Sequence, residues 1–315
     1  MRICWFNDHR LGLVDGSLVR DVSAALSALP EPVYPGPRGD TLIAHLDEVL
    51  GAASGIAAEA EAFPVADVQF LSPVAEPGKI VGVPVNYRKH AEEAEADTEV
   101  FTARYRGSIE AQGLFLKATS ALVGCGEGVS VRFPDRRTDH EMELGVIIGR
   151  KAANVSETRA LEYVAGFSIA LDMVVRGPED RSFRKSVDSY AVLGPWLVTA
   201  DEIADPQALD FSLSVNGVLR QASSTRHMIM TIAEQIGWAS RFYTLWPGDI
   251  IMTGTCEGVG PVAPGDTMCC RIESIGEMAV TVRAWDGAQL PAGHAARRAG
   301  RNSRRSDRTT RFPSR

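Results

Sequence analysis

The sequence predicts an α+β fold: a mixed, mainly antiparallel β-roll or barrel with a few helices, preceded by a small N-terminal domain. Three observations lead there. From Lys79 onward, short apolar or alternating segments follow one another, separated by turn residues. Within that region helical spacing is confined to stretches around 86–96, 156–162 and 225–241. A regular alternation of strand and helix is missing, which argues against a doubly wound parallel sheet.

Residues 1–72 read as the small N-terminal domain. "RICWF" and "GSLVR" are short strands, with Asp15-Gly16 as a turn signal between them. "DTLIAHLDEVL" has helical spacing behind Asp40, a suitable N-cap, and the Ala/Glu-rich run at 51–62 continues it as helix or loop. "SPVAEPGK" at 72–79, with two prolines and a glycine, is the expected linker. The second domain, 73–290, holds the strands "KIVGV", "LFLKA", "ELGVIIG", "VAGFSIAL", "PWLVT", "FSLSVNG", "DIIMTG", "TMCCRIE" and "MAVTVRAW", with Asn216-Gly217 as a strong hairpin signal. Residues 291–315 carry eight arginines against one aspartate and almost no apolar bulk, the composition of a disordered tail.

The 315 residues are 45% hydrophobic and 23% charged, an ordinary globular balance, and the formal net charge of -7 argues against a nucleic-acid-binding protein. The arginine tail could attract phosphates, but it lacks interleaved aromatics and reads more simply as an extension. Five scattered cysteines form no C-x-x-C pair or zinc spacing, as expected of reduced thiols in the cytoplasm. Without a signal-peptide pattern or an apolar run approaching ~18 residues, no membrane association is expected.

Four clusters could carry chemistry. In "DHEMELGVIIGR", residues 139–150, Glu141 and Glu143 lie two apart and so share a strand face. Such a pair usually sits on a wet face. Here the strand runs straight into "LGVIIG", so the face shared with Gly145 and Ile147 heads inward, where two carboxylates repel unless a cation lies between them. In "VAGFSIALDMVVRG", Asp172 interrupts an apolar segment. It is either a structural aspartate, hydrogen-bonded or paired with Arg176, or a third carboxylate for a hard cation. In "NYRKHAEEA", His90 and Glu93 at i and i+3 share a helical face: a surface neighbour pair, or a carboxylate orienting an imidazole base. In "SFRKSVDSYAVLGPW", Arg184 and Lys185 precede a Gly-Pro corner, either as a solvated basic loop or as cations for a carboxylate or enolate. Finally, "WPGDIIMTGTCEGVG" sets Thr253 and Thr255 in a glycine-punctuated loop. It is neither a P-loop nor a dinucleotide fingerprint.

Taken together and in this order, "KIVGVPVNYRKHAEEA", "LFLKATSALVGCGEGV", "DHEMELGVIIGR", "VAGFSIALDMVVRG", "KSVDSYAVLGPW", "NGVLRQASSTRHM" and "LWPGDIIMTGTCEGVG" resemble the fumarylacetoacetate hydrolase family over about residues 79–285. The resemblance implies a mixed β-roll, a homodimer, and a divalent cation, Mg²⁺ or Mn²⁺, held by Glu141, Glu143 and Asp172. It implies His90, Glu93 and Lys185 as catalytic groups, and Arg88, Lys185 and Thr255 as substrate contacts. It implies as substrate a small 2-oxo acid with a β-dicarbonyl, of the acylpyruvate or fumarylpyruvate type, split by C–C hydrolysis in aromatic catabolism. The alternatives are an isomerase or decarboxylase of the 2-hydroxyhepta-2,4-diene-1,7-dioate type, an oxaloacetate decarboxylase, or a non-catalytic member with a basic interaction tail. Three departures touch the site's mouth: Cys256 replaces the proline of T-G-T-P, "PVNY" replaces "GLNY", and "MVVRG" follows Asp172 where Ser-Ala-Arg-Asp is usual.

Overall fold

A computed structural model of the chain describes residues 1–96 and 108–287. The arginine-rich 291–315 lies outside the described residues. A 12-stranded mixed sheet dominates, accompanied by a three-stranded and a five-stranded sheet. Along the large sheet, Ala191–Thr199, Val164–Asp172, Met142–Ile148, Ile250–Met252, Ile80–Gly82 and Phe115–Lys117 lie side by side. Among the described residues the path is open at both ends, so of the expected roll or barrel no closed barrel forms. One end is Ala62–Pro64, three residues finishing in a proline that has no amide to donate onward.

Residues 1–72 lay their strands on this same sheet. Arg2–Phe6 pairs antiparallel with Ala191–Thr199, with Ile3 opposite Leu197. Arg10–Asp15 and Leu18–Asp21 follow as a hairpin closed by Gly16 and Ser17. Asp40 caps Thr41–Ala44 by accepting from the Ile43 N–H at 3.1 Å. Its other oxygen accepts the N–H groups of Ala75 and Glu76 at 2.9 and 2.8 Å, which pins the expected linker. Contacts gather Met1–Trp285 into one unit.

The glutamate strand, Met142–Ile148, is buried on both faces. Met142, Leu144, Val146 and Ile148 enter one apolar cluster, while Ile147 enters a second with Ile250, Leu42, Leu46 and Val49. Side chains alternate along a strand, so Glu143 lies on the Ile147 side. The Asn216-Gly217 hairpin is present, with both residues at positive φ (51° and 79°) between the paired Val215 and Val218. The helix expected over 225–241 begins later, as Ile232–Phe242. Thr231 caps it and exchanges hydrogen bonds with Glu234, a T-x-x-E capping box legible in the sequence.

Candidate active site

The chain changes sheets at Glu141. Thr138–His140 is the central strand of the three-stranded sheet, and Met142–Ile148 belongs to the large one. Glu141 sits in the joint, so the two glutamates do not ride on one uninterrupted strand as expected. They still converge. Leu171 pairs with Met142, Ala170 with Glu143, and the Asp172 N–H donates to the Glu141 carbonyl at 2.8 Å. Carboxylate oxygens of Glu141, Glu143 and Asp172 come within 4.8 Å of one another, all three residues buried.

Cations surround two of the three. The Lys185 ammonium, at the end of the short helix Arg181–Lys185, donates to Glu141 and Asp172 at 2.5 Å each. The buried Lys117 ammonium donates to Asp172 and to the Tyr190 carbonyl. Arg176, considered from the sequence as a partner for Asp172, instead donates to Asp139 at 2.7 Å and to Glu141 at 3.4 Å. Burial would raise Glu141, but Lys185, Arg176 and His90 together hold its pKa at about 2. Glu143 accepts the Gly254 N–H at 2.8 Å and is pushed well above the carboxylate range, first by burial and then by the charge of Asp172. A divalent ion among the three carboxylates would compensate Glu143, and an all-oxygen donor set suits a hard ion such as Mg²⁺ or Mn²⁺. The residues fit that group.

His90 and Glu93 lie on the helix Arg88–Ala96, with His90 Nδ1 at 3.1 Å from Glu93 Oε2. An ionised carboxylate only accepts, so Nδ1 carries a proton, and in the neutral imidazole this tautomer leaves the lone pair on Nε2. The other Glu93 oxygen accepts the Gly258 N–H at 3.1 Å. The turn before this helix is strained: Val85, a β-branched residue, has φ 51°. Asn86 anchors it, donating to Thr253 O and Met230 O and accepting from Met230 N–H, at 2.8, 3.0 and 2.7 Å. Gly254 (φ +94°) passes so close that a Cβ there would meet the Asn86 Cβ at 2.6 Å.

Thr255 donates to the Met142 carbonyl and accepts from Gln221, both at 2.8 Å. Gln221 Oε1 also accepts the Met142 N–H at 3.1 Å, so one buried amide ties the threonine loop to the joint at Glu141. Cys256, in place of the usual proline, is a buried thiol pushed up to about 12 by burial and by Glu257.

His90, Glu141, Glu143, Asp172, Lys185 and Thr255 all line one cavity of about 50 Å³, with Val83, Pro84, Val85, Phe115, Arg176, Arg181 and Arg184. Arg88 is not brought there. It is exposed on the outer side of its helix and lines a separate groove with Arg226 and His227. Lys117, Arg181 and Gln221 were not singled out from the sequence. A lysine inside the apolar "LFLKA" was the one available signal among them.

Residues 79–283 match the family described as fumarylacetoacetate (FAA) hydrolase C-terminal. The maleylpyruvate hydrolase of Aquipseudomonas alcaligenes is 52% identical over 286 residues, 90% of this chain and all of that one. The chain belongs to the fumarylacetoacetate hydrolase family. A mitochondrial oxaloacetate tautomerase of Rattus norvegicus is 34% identical over 83% of this chain and 82% of its own. Among solved structures, the family's maleylpyruvate hydrolase from Sphingobium sp. SYK-6, in complex with manganese(II) ion and pyruvate, superposes with a TM-score of 0.77. It is 38% identical over 90% of this chain and 99% of its own. Every cavity residue named above lies inside the matched span.

Proposed function

We propose that this protein is a divalent-metal-dependent hydrolase that cleaves the C–C bond between the two carbonyls of an acylpyruvate, with maleylpyruvate as the leading substrate. One observation carries the reading: His90, which Glu93 orients, and the three carboxylates open into the same small cavity. The identity to a maleylpyruvate hydrolase supports the substrate class. A Mg²⁺ or Mn²⁺ ion held by Glu141, Glu143 and Asp172 would supply Lewis-acid polarisation of the 2-oxo acid.

The chain's own residues do the rest. His90 Nε2, oriented by Glu93, takes a proton from water as its oxygen attacks the distal carbonyl. The bond to the methylene carbon breaks, releasing the acyl group as a carboxylic acid and the other half as the enolate of pyruvate. Lys185 faces that negative charge and His90 returns the proton to carbon. The buried walls formed by Val83, Pro84 and Phe115 keep bulk water away. A homodimer in the cytoplasm, without a nucleic-acid partner, and a division into 1–72, 73–290 and an arginine tail complete the proposal.

The test is a side-by-side assay of maleylpyruvate, fumarylpyruvate, acetylpyruvate, oxaloacetate and a 2-hydroxy-dienedioate with Mn²⁺ or Mg²⁺. Release of pyruvate from the acylpyruvates is expected. The tautomerase relative favours a second reading, enolate chemistry without hydrolysis, which conversion of oxaloacetate alone would establish.

A further inference from the structure

Two dibasic pairs meet outside the catalytic cavity. Arg88-Lys89 opens the helix Arg88–Ala96, and Arg226-His227 lies in the short turn Thr225–His227. Distant in sequence, they are brought together by an antiparallel bridge between Tyr87 and Met228 and by the Ile229 N–H, which donates to the Asn86 carbonyl at 2.8 Å. Both pairs line a groove of about 470 Å³, with Tyr87, Ser223 and Glu257 in its walls.

This gathering of charge is costly. Arg88, Lys89 and Arg226 are cations, and among the described residues the groove walls oppose them with Glu257 alone, 3.6 Å from Lys89. Arg226 donates to Ser224 Oγ at 2.9 Å and stands 3.5 Å from the exposed Asp210, a weak surface pair. Arg88 and His227 have no hydrogen-bond or ion-pair partner among the described residues. Arg88 and Lys89 also occupy the first turn of a helix with no acidic residue there, where the positive end of the helix dipole disfavours a cation. The Tyr87 hydroxyl is buried without a hydrogen-bond partner, which is unusual for a phenol. Like charges that the fold forces together repel unless an ion of opposite sign lies between them.

We propose that this groove is a second ligand site, apart from the catalytic cavity, and that its ligand is a small, multiply charged oxyanion: phosphate or a phosphate ester. The volume suits a small molecule. The guanidinium forks of Arg88 and Arg226 match phosphate oxygens two at a time, and Lys89 adds a point charge. The Ser223 hydroxyl and the His227 ring supply further donors from the same walls. An anion bridging the two pairs ties the first turn of the helix that carries His90 and Glu93 to the turn at 225–227.

The experiment is calorimetric titration of the Mg²⁺-loaded protein at low ionic strength, with inorganic phosphate and, separately, glycerol 3-phosphate, and with thermal melts beside it. Saturable binding is expected, with a melting midpoint raised by about 2–5 °C near saturation. Equal affinity for the two probes upholds the site with the phosphate group alone recognised, and a preference of at least ~10-fold for the ester upholds it with the organic part read as well. Arg88→Gln and Arg226→Gln should each weaken binding by at least ~10-fold. Without phosphate, Arg88→Gln should melt no lower than the wild type, since it removes repulsion and breaks no contact. Absence of saturable binding by both probes, or binding that both substitutions leave unchanged, overturns the proposal. So does a phosphate-free Arg88→Gln that melts clearly below the wild type, because Arg88 would then stabilise the fold without an anion.

Discussion

The Asp172 N–H donates to the carbonyl of Glu141 at 2.8 Å, so the two residues whose carboxylates converge are first joined by their main chains. The bond extends the antiparallel register of Met142 with Leu171 by one residue, past the point where the first chain has left the sheet. The carboxylates therefore owe their meeting to strand pairing rather than to Lys185, which bridges them.

Glu143→Ala is expected to lower Mn²⁺ affinity by at least ~100-fold and to abolish turnover, since one of three ligands is lost. The metal-free variant should melt no more than a few degrees below the metal-free wild type, because removing a charge that burial and Asp172 disfavour offsets the loss of the acceptor for the Gly254 N–H. Metal titration and a thermal melt check both halves. Undiminished turnover in excess chelator would sink the metal assignment.

His90→Ala should leave Mn²⁺ affinity within about threefold and cut hydrolysis by ~10²- to 10⁴-fold, the usual contribution of a general base. The steady-state rate on an acylpyruvate, with metal affinity measured beside it, separates loss of the base from loss of the ion. Hydrolysis at the wild-type rate would remove His90 from the mechanism.

Lys117→Met breaks a fully buried ion pair and strands Asp172 beside Lys185 alone. A destabilisation of about 3–5 kcal/mol is expected in denaturant unfolding. If Lys117 only touched substrate, the unfolding midpoint would not move.

Gln221→Ala leaves the Met142 N–H and the Thr255 loop without their shared partner. The expected cost is about 1–3 kcal/mol for each buried group left unmet, with weaker Mn²⁺ binding as the joint at Glu141 loosens. The thermal midpoint and a Mn²⁺ titration together check it. A lowered midpoint with unaltered metal affinity would confine Gln221 to stability.

Much of this site can be read from local spacing. Period three to four puts Glu93 beside His90, as found, while the period-two reading of Glu141 and Glu143 is right about the convergence of their carboxylates and wrong about the single strand that was to cause it. The strands were legible for the same reason, each being a short apolar run closed by turn residues. What local spacing does not encode is where a chain changes sheets. Glu141 looks like the start of a strand because the residues on either side are both extended, and only the partners of Thr138–His140 reveal the joint. Long-range pairing likewise decides that Arg176 reaches Asp139, 37 residues away, and that Lys117 reaches Asp172. The collinear motifs of the family, more than any one residue, linked the carboxylates to the histidine. They were least informative for Arg88, whose place on the helix turns it outward.

The family match begins at Lys79, which invites cutting the chain there. Such a fragment would uncover the Ala191–Thr199 side now paired by Arg2–Phe6, one strand away from Asp172. It would also strip Leu42, Leu46 and Val49 from the apolar cluster that holds Ile147 and Ile250. A bare β-edge beside a bared apolar face is adhesive. The first seventy residues thus sheathe the catalytic sheet, and a shortened recombinant protein would be expected in the insoluble fraction.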